Sequence, residues 1–200
     1  MTSTALKLAL LASASVFLSF TARAQSADTD SREQIMVVLD ASGSMWGEVD
    51  GKAKIEILRD SYASLAGRWE NEPVDAGLIV YGHRRKGDCR DIELVATPGP
   101  VDAASQIQFA RKLNPKGKTP LGESVRQAAE VLKFKEQKAT VLLLSDGAET
   151  CGVDPCALGR ELEAAGVDFT AHVIGFDIRD EDTRAQLQCL ASETGGTYQS

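Results

Sequence analysis

The chain has 200 residues, 43% of them apolar and 26% charged, which is enough for one domain with a sizeable hydrophobic core. Its formal net charge is −7. An acidic chain of this kind is not expected to bind nucleic acid or anionic lipid, because binding to phosphate requires patches of Lys and Arg.

Residues 1–24 differ in composition from the rest of the chain. They contain no acid, carry Lys7 ahead of an apolar run over 8–20, and end in a small-x-small sequence. Because this run is too short to span a bilayer comfortably, the segment is predicted to be a secretory signal peptide cleaved before Gln25. Loss of Lys7 and Arg23 would take the net charge from −7 to −9. We therefore expect a periplasmic or secreted protein without stable membrane insertion, and a retained N-terminal anchor is the alternative.

Hydrophobic patterning predicts alternating strands and helices after a polar linker over 25–34. Continuous apolar runs predict buried strands, and apolar residues at every third or fourth position predict amphipathic helices. In chain order the predicted elements are strand 35–40, helix 51–69, strands 75–82 and 91–97, helices 101–113 and 121–134, strand 139–146, helix 154–166, strand 167–176, helix 180–196 and strand 197–200.

The order of these elements predicts an α/β domain over 35–200. Too few residues separate 75–82 from 91–97 for a helical crossover, so these two strands are expected to be antiparallel. The other strands alternate with helices, which is typical of a doubly wound, mostly parallel sheet with helices on both faces and here one antiparallel edge strand. In such sheets, ligands bind outside the carboxyl ends of the strands.

Oxygen-bearing side chains are concentrated at this expected carboxyl edge. They follow the strands 35–40 and 139–146 or lie in a Gly/Pro turn before a helix: Asp40, Ser42, Ser44, Thr119 and Asp146. Oxygen ligands suit Mg²⁺, with Ca²⁺ or Mn²⁺ as alternatives, and disfavour Zn²⁺. A buried, unpaired Asp40 would be destabilising, and a bound cation would remove that penalty. The pattern predicts a divalent-cation site, although each residue alone is also compatible with a turn or a helix cap.

The motif resembles the metal-ion-dependent adhesion site of the von Willebrand factor A (vWA) domain family. Residues 40–44, DASGS, match the D-x-S-x-S element of the family. Thr119 lies in KTPLG and Asp146 in LLSDG, in the order found in the family, and the resemblance extends over 35–200. Within the family, the segments SMWGEVDGKAKIEI, YGHRRKGDC and DGAETCGVDPC resemble an exported bacterial subgroup.

The resemblance implies specific roles for the five residues. Ser42, Ser44 and, in the ligand-competent state, Thr119 would contact Mg²⁺ directly, whereas Asp40 and Asp146 would bind it largely through water. One coordination position would be left for an Asp or Glu of a partner protein. A cation held mostly by neutral hydroxyls stays electrophilic and would gain from such a carboxylate.

The expected function is an exported, divalent-cation-dependent adhesion or interaction module, not an enzyme. Alternatives are a structural subunit of an envelope assembly and a metal-assisted hydrolase. The hydrolase is disfavoured because no His, Lys or Cys stands in the cluster as an evident general base, and Ser44 lacks the G-x-S-x-G context of a nucleophile. Near the site, Trp46 is expected to pack beside the first helix, and a partner-binding surface is the alternative. Asp50 and Glu149 are expected to be solvated loop charges, and acids that modulate ligand binding are the alternative.

Four cysteines lie beyond the predicted signal peptide: Cys89, Cys151, Cys156 and Cys189. In an oxidising compartment they predict two disulfides. A zinc site is the weaker alternative, because no CxxC pair is present and the two histidines are not at ligand spacing. A Cys151–Cys156 bond would require Cys89 to bond with Cys189, and the expected arrangement of the elements makes that bond difficult. One bond from this pair to Cys89 and one to Cys189 is favoured, and which pairs with which stays open.

Overall fold

The structure, a computed structural model, describes residues 32–200, so the predicted signal peptide and most of the predicted linker lie outside the described residues. The elements in chain order are β1 (Glu33–Asp40), a 3-10 turn (Gly43–Trp46), β2 (Glu48–Val49), β3 (Lys52–Ala53), α1 (Lys54–Trp69), β4 (Val74–Tyr81), β5 (Ile92–Ala96), α2 (Ala103–Arg111), α3 (Leu121–Val131), β6 (Lys138–Ser145), α4 (Pro155–Ala165), β7 (Asp168–Gly175), α5 (Glu181–Glu193) and β8 (Tyr198–Gln199). Within this part of the chain, no helix has the length and apolar character needed to cross a membrane.

Six strands form the main sheet in the order β5-β4-β1-β6-β7-β8. Strands β4, β1, β6, β7 and β8 run parallel to one another, and only β5 at the edge runs antiparallel, paired with β4. The predicted fold class is therefore confirmed: a mostly parallel, doubly wound sheet with one antiparallel edge strand.

Helices cover both faces of the sheet, which explains why its central strand is apolar on both sides. In β1, Val37 and Leu39 join the core beneath α1 and α2, and Met36 and Val38 join the core beneath α3, α4 and α5. All four side chains are fully buried. A strand covered on both faces has no polar, solvated side, so its sequence is a continuous apolar run.

The largest difference from the predicted elements is a small hairpin before the first helix. Strands β2 and β3 pair antiparallel around Asp50 and Gly51, which have φ of 51° and 78°. Asp-Gly is a strong signal for a two-residue hairpin turn, because both positions need a positive φ. Helix α1 consequently begins at Lys54 and not at 51.

Two disulfides connect elements on the outside of the sheet. Cys89 bonds to Cys151, with Cα atoms 5.6 Å apart, and links the loop after β4 to the loop after β6. Cys156 bonds to Cys189, with Cα atoms 5.0 Å apart, and links α4 to α5. The prediction of two disulfides is confirmed, and the open choice of partners is resolved.

Candidate metal centre

The carboxyl ends of two adjacent central strands bring the predicted acidic residues together. Asp40 is the last residue of β1, and Asp146 follows Ser145, the last residue of β6. Strands β4 and β5 lie on one side of β1 in the sheet, and strands β6, β7 and β8, which come later in the chain, lie on the other side. The site therefore lies at the topological switch point of the sheet, which is the general position of ligand sites in folds of this kind.

Hydrogen bonds link four of the five predicted residues, whose side-chain oxygens we call the oxygen set. Oδ1 of Asp40 accepts the backbone N–H of Ser42 at 2.8 Å. The Oγ atoms of Ser42 and Ser44 lie 3.0 Å apart, and the Oγ of Ser44 donates to Oδ1 of Asp146 at 2.7 Å. The D-x-S-x-S loop thus reaches across from β1 to the end of β6.

The donor atoms of the oxygen set and the distances between them are compatible with a small divalent cation. Octahedral Mg²⁺ binds oxygens at 2.0–2.1 Å, so neighbouring ligands lie about 2.9 Å from each other. The oxygens of Ser42, Ser44 and Asp146 are separated by similar distances, 3.0 and 2.7 Å. Ser42 and Asp146 are buried, and Ser44 is exposed, so the set is accessible to an ion from solvent. These residues fit a hard cation such as Mg²⁺, and their ligand roles remain a prediction.

Asp40 lies in a fully buried hydrogen-bond network beneath this set. Its Oδ2 accepts a hydrogen bond from Oγ of Ser145 at 2.6 Å, and the Tyr81 hydroxyl approaches the same Oγ at 3.2 Å. Burial raises the pKa of Asp40, and the negative charge of Asp146 raises it further, although hydrogen bonds from Ser145 and Ser42 oppose the shift. Ser145 was not among the predicted residues, because a serine at the end of an apolar strand carries no distinctive pattern.

Thr119 reaches the same edge on a separate loop. The N–H of Gly43 donates to the carbonyl of Gly117 at 3.1 Å, which holds this loop against the D-x-S-x-S segment. The backbone N–H of Thr119 donates to Oγ1 of Thr150 at 2.8 Å, and Thr119 is 4% exposed. Among residues 32–200, the Thr119 side chain makes no hydrogen bond to the other four residues, so its ligand role also stays a prediction.

A glycine allows three loops to approach one another at the site. Gly82 has φ of 74°, and a Cβ there would lie 2.8 Å from the carbonyl oxygen of Lys118 and 2.9 Å from Cα of Ser42. Such contacts are far inside van der Waals distance and cannot be relieved by a side-chain rotation. Only glycine therefore fits between the loops that carry Ser42 and Thr119.

Replacement of Gly82 by alanine is expected to lower the free energy of unfolding by about 3 kcal/mol, because the costs of the strained backbone and of the steric overlap are both incurred. Gly51→Ala is the matched control, because Gly51 also has a positive φ of 78° but no atom lies within 4 Å of the place that a Cβ would occupy. Chemical denaturation of both variants should give a loss of about 1 kcal/mol for Gly51→Ala. Equal losses would show that the close approach at Gly82 does not matter.

A buried carboxylate organises the loop between β4 and β5. Asp91 is fully buried and accepts hydrogen bonds from the backbone N–H groups of Arg84 and Arg85 at 2.7 and 2.8 Å, and from Nε of Arg84 at 2.7 Å. Burial alone raises the pKa of Asp91, but these hydrogen bonds and the charge of Arg84 outweigh it and leave the pKa below its usual value. This loop also carries Cys89 and Gly82, so Asp91 supports the wall of the site.

Asp91→Asn is expected to destabilise the protein by about 2 kcal/mol at pH 7, because buried N–H groups lose a charged acceptor. A lowered pKa in the folded state stabilises the protein above about pH 4, the pKa in the unfolded chain, and the stabilisation is lost as the pH falls through the folded-state value. The stability difference between wild type and variant, measured by urea denaturation from pH 7 to pH 3, should therefore shrink towards acid. A difference that is constant with pH would contradict this.

Three residues near the site differ from the sequence-based expectations. Lys54 belongs to the cluster, since its Nζ lies 3.1 Å from Oδ2 of Asp146, so the expectation of a cluster without lysine was wrong. Trp46 does not pack beside the helix: it is 52% exposed, because the 3-10 turn buries Met45 and directs Trp46 outward. Its indole N–H donates to the carbonyl of Pro115 at 3.0 Å.

Glu149 is the third of these residues, because it is not a solvated loop charge. Its carboxylate accepts the backbone N–H of Gly122, at the start of α3, at 2.7 Å, and also the N–H of Cys151. A carboxylate at a helix N-terminus satisfies an otherwise unpaired donor and interacts favourably with the helix dipole. Asp50, in contrast, is exposed as expected.

Comparison with known families agrees with this geometry. The sequence profile of the von Willebrand factor type A domain family matches residues 35–149, more than half of the chain. This protein belongs to the vWA family. The matched region includes all five predicted metal residues of the vWA domain and ends in the loop that follows Asp146.

Relatives of this vWA domain occur in bacteria. YwmD of Bacillus subtilis (strain 168), described as an uncharacterized protein, is 31% identical over 191 residues, covering 90% of this chain and 81% of YwmD. YwmC of the same organism, also described as uncharacterized, is 29% identical over 189 residues, with the same coverage of both chains. These matches place the chain among bacterial vWA proteins.

Solved structures with this fold include a pilus protein. The pilus adhesin SpaC from Lactobacillus rhamnosus GG superposes with a TM-score of 0.68 at 18% identity, over 84% of this chain. The chain spans only 28% of the length of SpaC, and identity at this level establishes the shared vWA fold alone.

Proposed function

We propose that this vWA domain is an exported module that binds a partner protein through a divalent cation, Mg²⁺ in the first instance. The observation that carries the proposal is the oxygen set of Asp40, Ser42, Ser44 and Asp146, linked by hydrogen bonds at the switch point of the sheet. Its donors are hydroxyl and carboxylate oxygens, which favour hard cations. Thr119 would complete the set from the neighbouring loop. When bound, the cation supplies a strong positive charge for a partner's carboxylate.

The shape of the site supports access by a partner. Asp40 and Ser42 are buried, whereas Ser44, in the loop beyond the carboxyl end of β1, is exposed. Asp40 and Ser42 would hold a cation bound here from the buried side. A partner would reach the cation from the side of Ser44. Trp46, in the same 3-10 turn as Ser44, is 52% exposed, and exposed aromatic side chains are favoured anchors at protein interfaces.

The charge around the site supports an acidic partner residue. Lys116 and Lys118 flank the glycine before Thr119 and are exposed, and neither forms a salt bridge within residues 32–200. The whole chain nevertheless has a net charge of −7. These two lysines would attract an acidic group to the loop that carries Thr119, while the net charge of the rest of the protein would repel it.

Two further findings support export and a binding role. Both disulfides are of the kind that persists in an oxidising compartment outside the cytoplasm. SpaC, which shares the fold, is a pilus adhesin, and PilB from Streptococcus sanguinis, with a TM-score of 0.61 at 16% identity, is a minor pilin. The PilB match covers 84% of this chain and 56% of PilB.

The proposal is tested by capture of exported proteins of the producing organism on the immobilised protein, with Mg²⁺ or with EDTA. We expect a partner that binds in Mg²⁺, elutes with EDTA and is not retained by the Asp40→Asn variant. Capture that survives EDTA and the substitution would contradict metal-dependent binding and favour a permanent structural subunit of an envelope assembly.

A further inference from the structure

One lysine lies inside the oxygen set. Nζ of Lys54 is 3.1 Å from Oδ2 of Asp146, and the exposed fractions of the two side chains are 12% and 0%. The other oxygen of this carboxylate, Oδ1, accepts the hydrogen bond from Ser44. Asp146 is therefore shared between a hydroxyl predicted to bind metal and an ammonium group.

The backbone around Lys54 directs its side chain to this position. The hairpin β2–β3 returns the chain to the 3-10 turn, and the N–H of Lys54 donates to the carbonyl of Gly47 at 2.8 Å. The end of the Lys54 side chain then runs alongside Gly47, with Cε 3.5 Å from where a Cβ of that residue would lie. Lys52, two residues earlier, instead forms an exposed pair with Asp60 at 2.6 Å.

The Lys54 ammonium can neutralise the carboxylates of the site in place of a metal ion. Asp40 and Asp146 place two carboxylates at one end of the sheet, and within residues 32–200 only Lys54 forms a salt bridge with either. A divalent cation bound beside Asp146 would lie within a few ångströms of the Lys54 ammonium, and two cations so close repel each other strongly in a partly buried site. Metal binding and the Lys54–Asp146 pair therefore oppose each other.

We propose that Lys54 is a built-in counter-cation: it neutralises Asp146 in the metal-free domain and is displaced when a divalent cation binds. This inference rests on the proposed metal site. The lysine keeps the metal-free site folded and lowers its affinity for metal, so that binding responds to the metal concentration outside the cell or to a partner's carboxylate. Asp177, whose pKa is lowered first by the hydrogen bond from Arg179 and also by the charge of Lys54, is within electrostatic range of the displaced ammonium.

The test is calorimetric titration of the purified protein with Mg²⁺. Lys54→Met keeps the aliphatic length of the side chain and removes the charge, and we expect it to tighten Mg²⁺ binding about tenfold, which corresponds to about 1.4 kcal/mol. Lys52→Met is the matched control, because it removes the same charge from the same hairpin away from the oxygen set; its affinity should stay within about twofold of wild type, since the Lys52–Asp60 pair is exposed. In EDTA, the melting temperature of Lys54→Met should be the lowest of the three.

Two other results of the titration would overturn the counter-cation role of Lys54, and they differ in what they say about the metal site. If all three proteins bind Mg²⁺ equally, or Lys54→Met binds more weakly, the counter-cation role is overturned while the metal site stands. If none of them binds Mg²⁺, or Mn²⁺ used as a second probe, the metal site and the inference fail together. Lys54→Gln carries the same expectations and replaces Lys54→Met if that variant does not fold.

Discussion

Replacement of Asp40 by asparagine is expected to abolish the stabilisation of this protein by Mg²⁺. A ligand at 100 times its dissociation constant stabilises the folded state by about 2.7 kcal/mol, which corresponds to a rise of about 5–10 °C in the melting temperature of a domain of this size. Asparagine retains the shape of the side chain but removes the negative charge that holds the cation. The measurement is thermal unfolding with Mg²⁺ and with EDTA.

The same variant should be at least as stable as wild type when metal is absent. Asp40 is fully buried beside Asp146, and both burial and that neighbouring charge raise its pKa, so the ionised form is disfavoured in the folded protein. An amide avoids this penalty. Asp102→Asn is the control, because Asp102 caps α2 through the N–H of Ser105 and asparagine caps equally well. A variant that loses stability in EDTA but keeps its response to Mg²⁺ would refute the assignment of Asp40.

Removal of the Cys89–Cys151 bond is expected to affect both stability and metal binding. The bond closes a loop with a sequence separation of 62, and loop entropy predicts a loss of about 4 kcal/mol when it is removed, with measured losses typically about 2–4 kcal/mol. Cys151 lies in the loop that follows Asp146. That loop also holds Thr119 through Thr150, so its loosening should weaken Mg²⁺ binding by at least several-fold.

The second disulfide provides the control for this effect. Cys156–Cys189 joins α4 to α5, with a sequence separation of 33. Within residues 32–200, the sulfur atoms of this bond have hydrogen-bond contacts only with Arg160 and Glu193 and none with a predicted metal residue. The double variant Cys156→Ser/Cys189→Ser should lose stability by a similar amount but keep its Mg²⁺ affinity, whereas Cys89→Ser/Cys151→Ser should lose both. Equal Mg²⁺ affinities in the two double variants would show that the Cys89–Cys151 bond has only a structural role.

The fold could be predicted because its strands are buried on both faces. The segments 35–40 and 139–146 are continuous apolar runs that end in aspartate, and this pattern is typical of central parallel strands. The carboxyl ends of such strands lie at one edge of the sheet, so the sequence alone predicted that Asp40 and Asp146 lie close together. The hairpin at Asp50–Gly51 could also have been predicted, because Asp-Gly is a strong turn signal.

The remainder of the site depends on contacts between residues that are distant in the chain. Lys54 meets Asp146, and Ser145 meets Tyr81, only after the sheet has formed, and neither pair has a signature in the local sequence. Trp46 was assigned wrongly because its exposure depends on the 3-10 turn, which places the preceding residue in the core. Hydrophobic patterns report burial averaged over an element and do not resolve individual residues in turns.

We expect the oxygen set at the ends of β1 and β6 to bind one divalent cation. Crystals soaked in Mn²⁺ test it most directly, because anomalous scattering locates this ion without assumptions about its ligands. We expect one Mn²⁺ bonded to Oγ of Ser42 and of Ser44, with Asp146 beside it and Lys54 moved away from that carboxylate. Saturating Mn²⁺ that leaves no anomalous peak at this edge, or gives peaks only elsewhere on the protein, would contradict the claim.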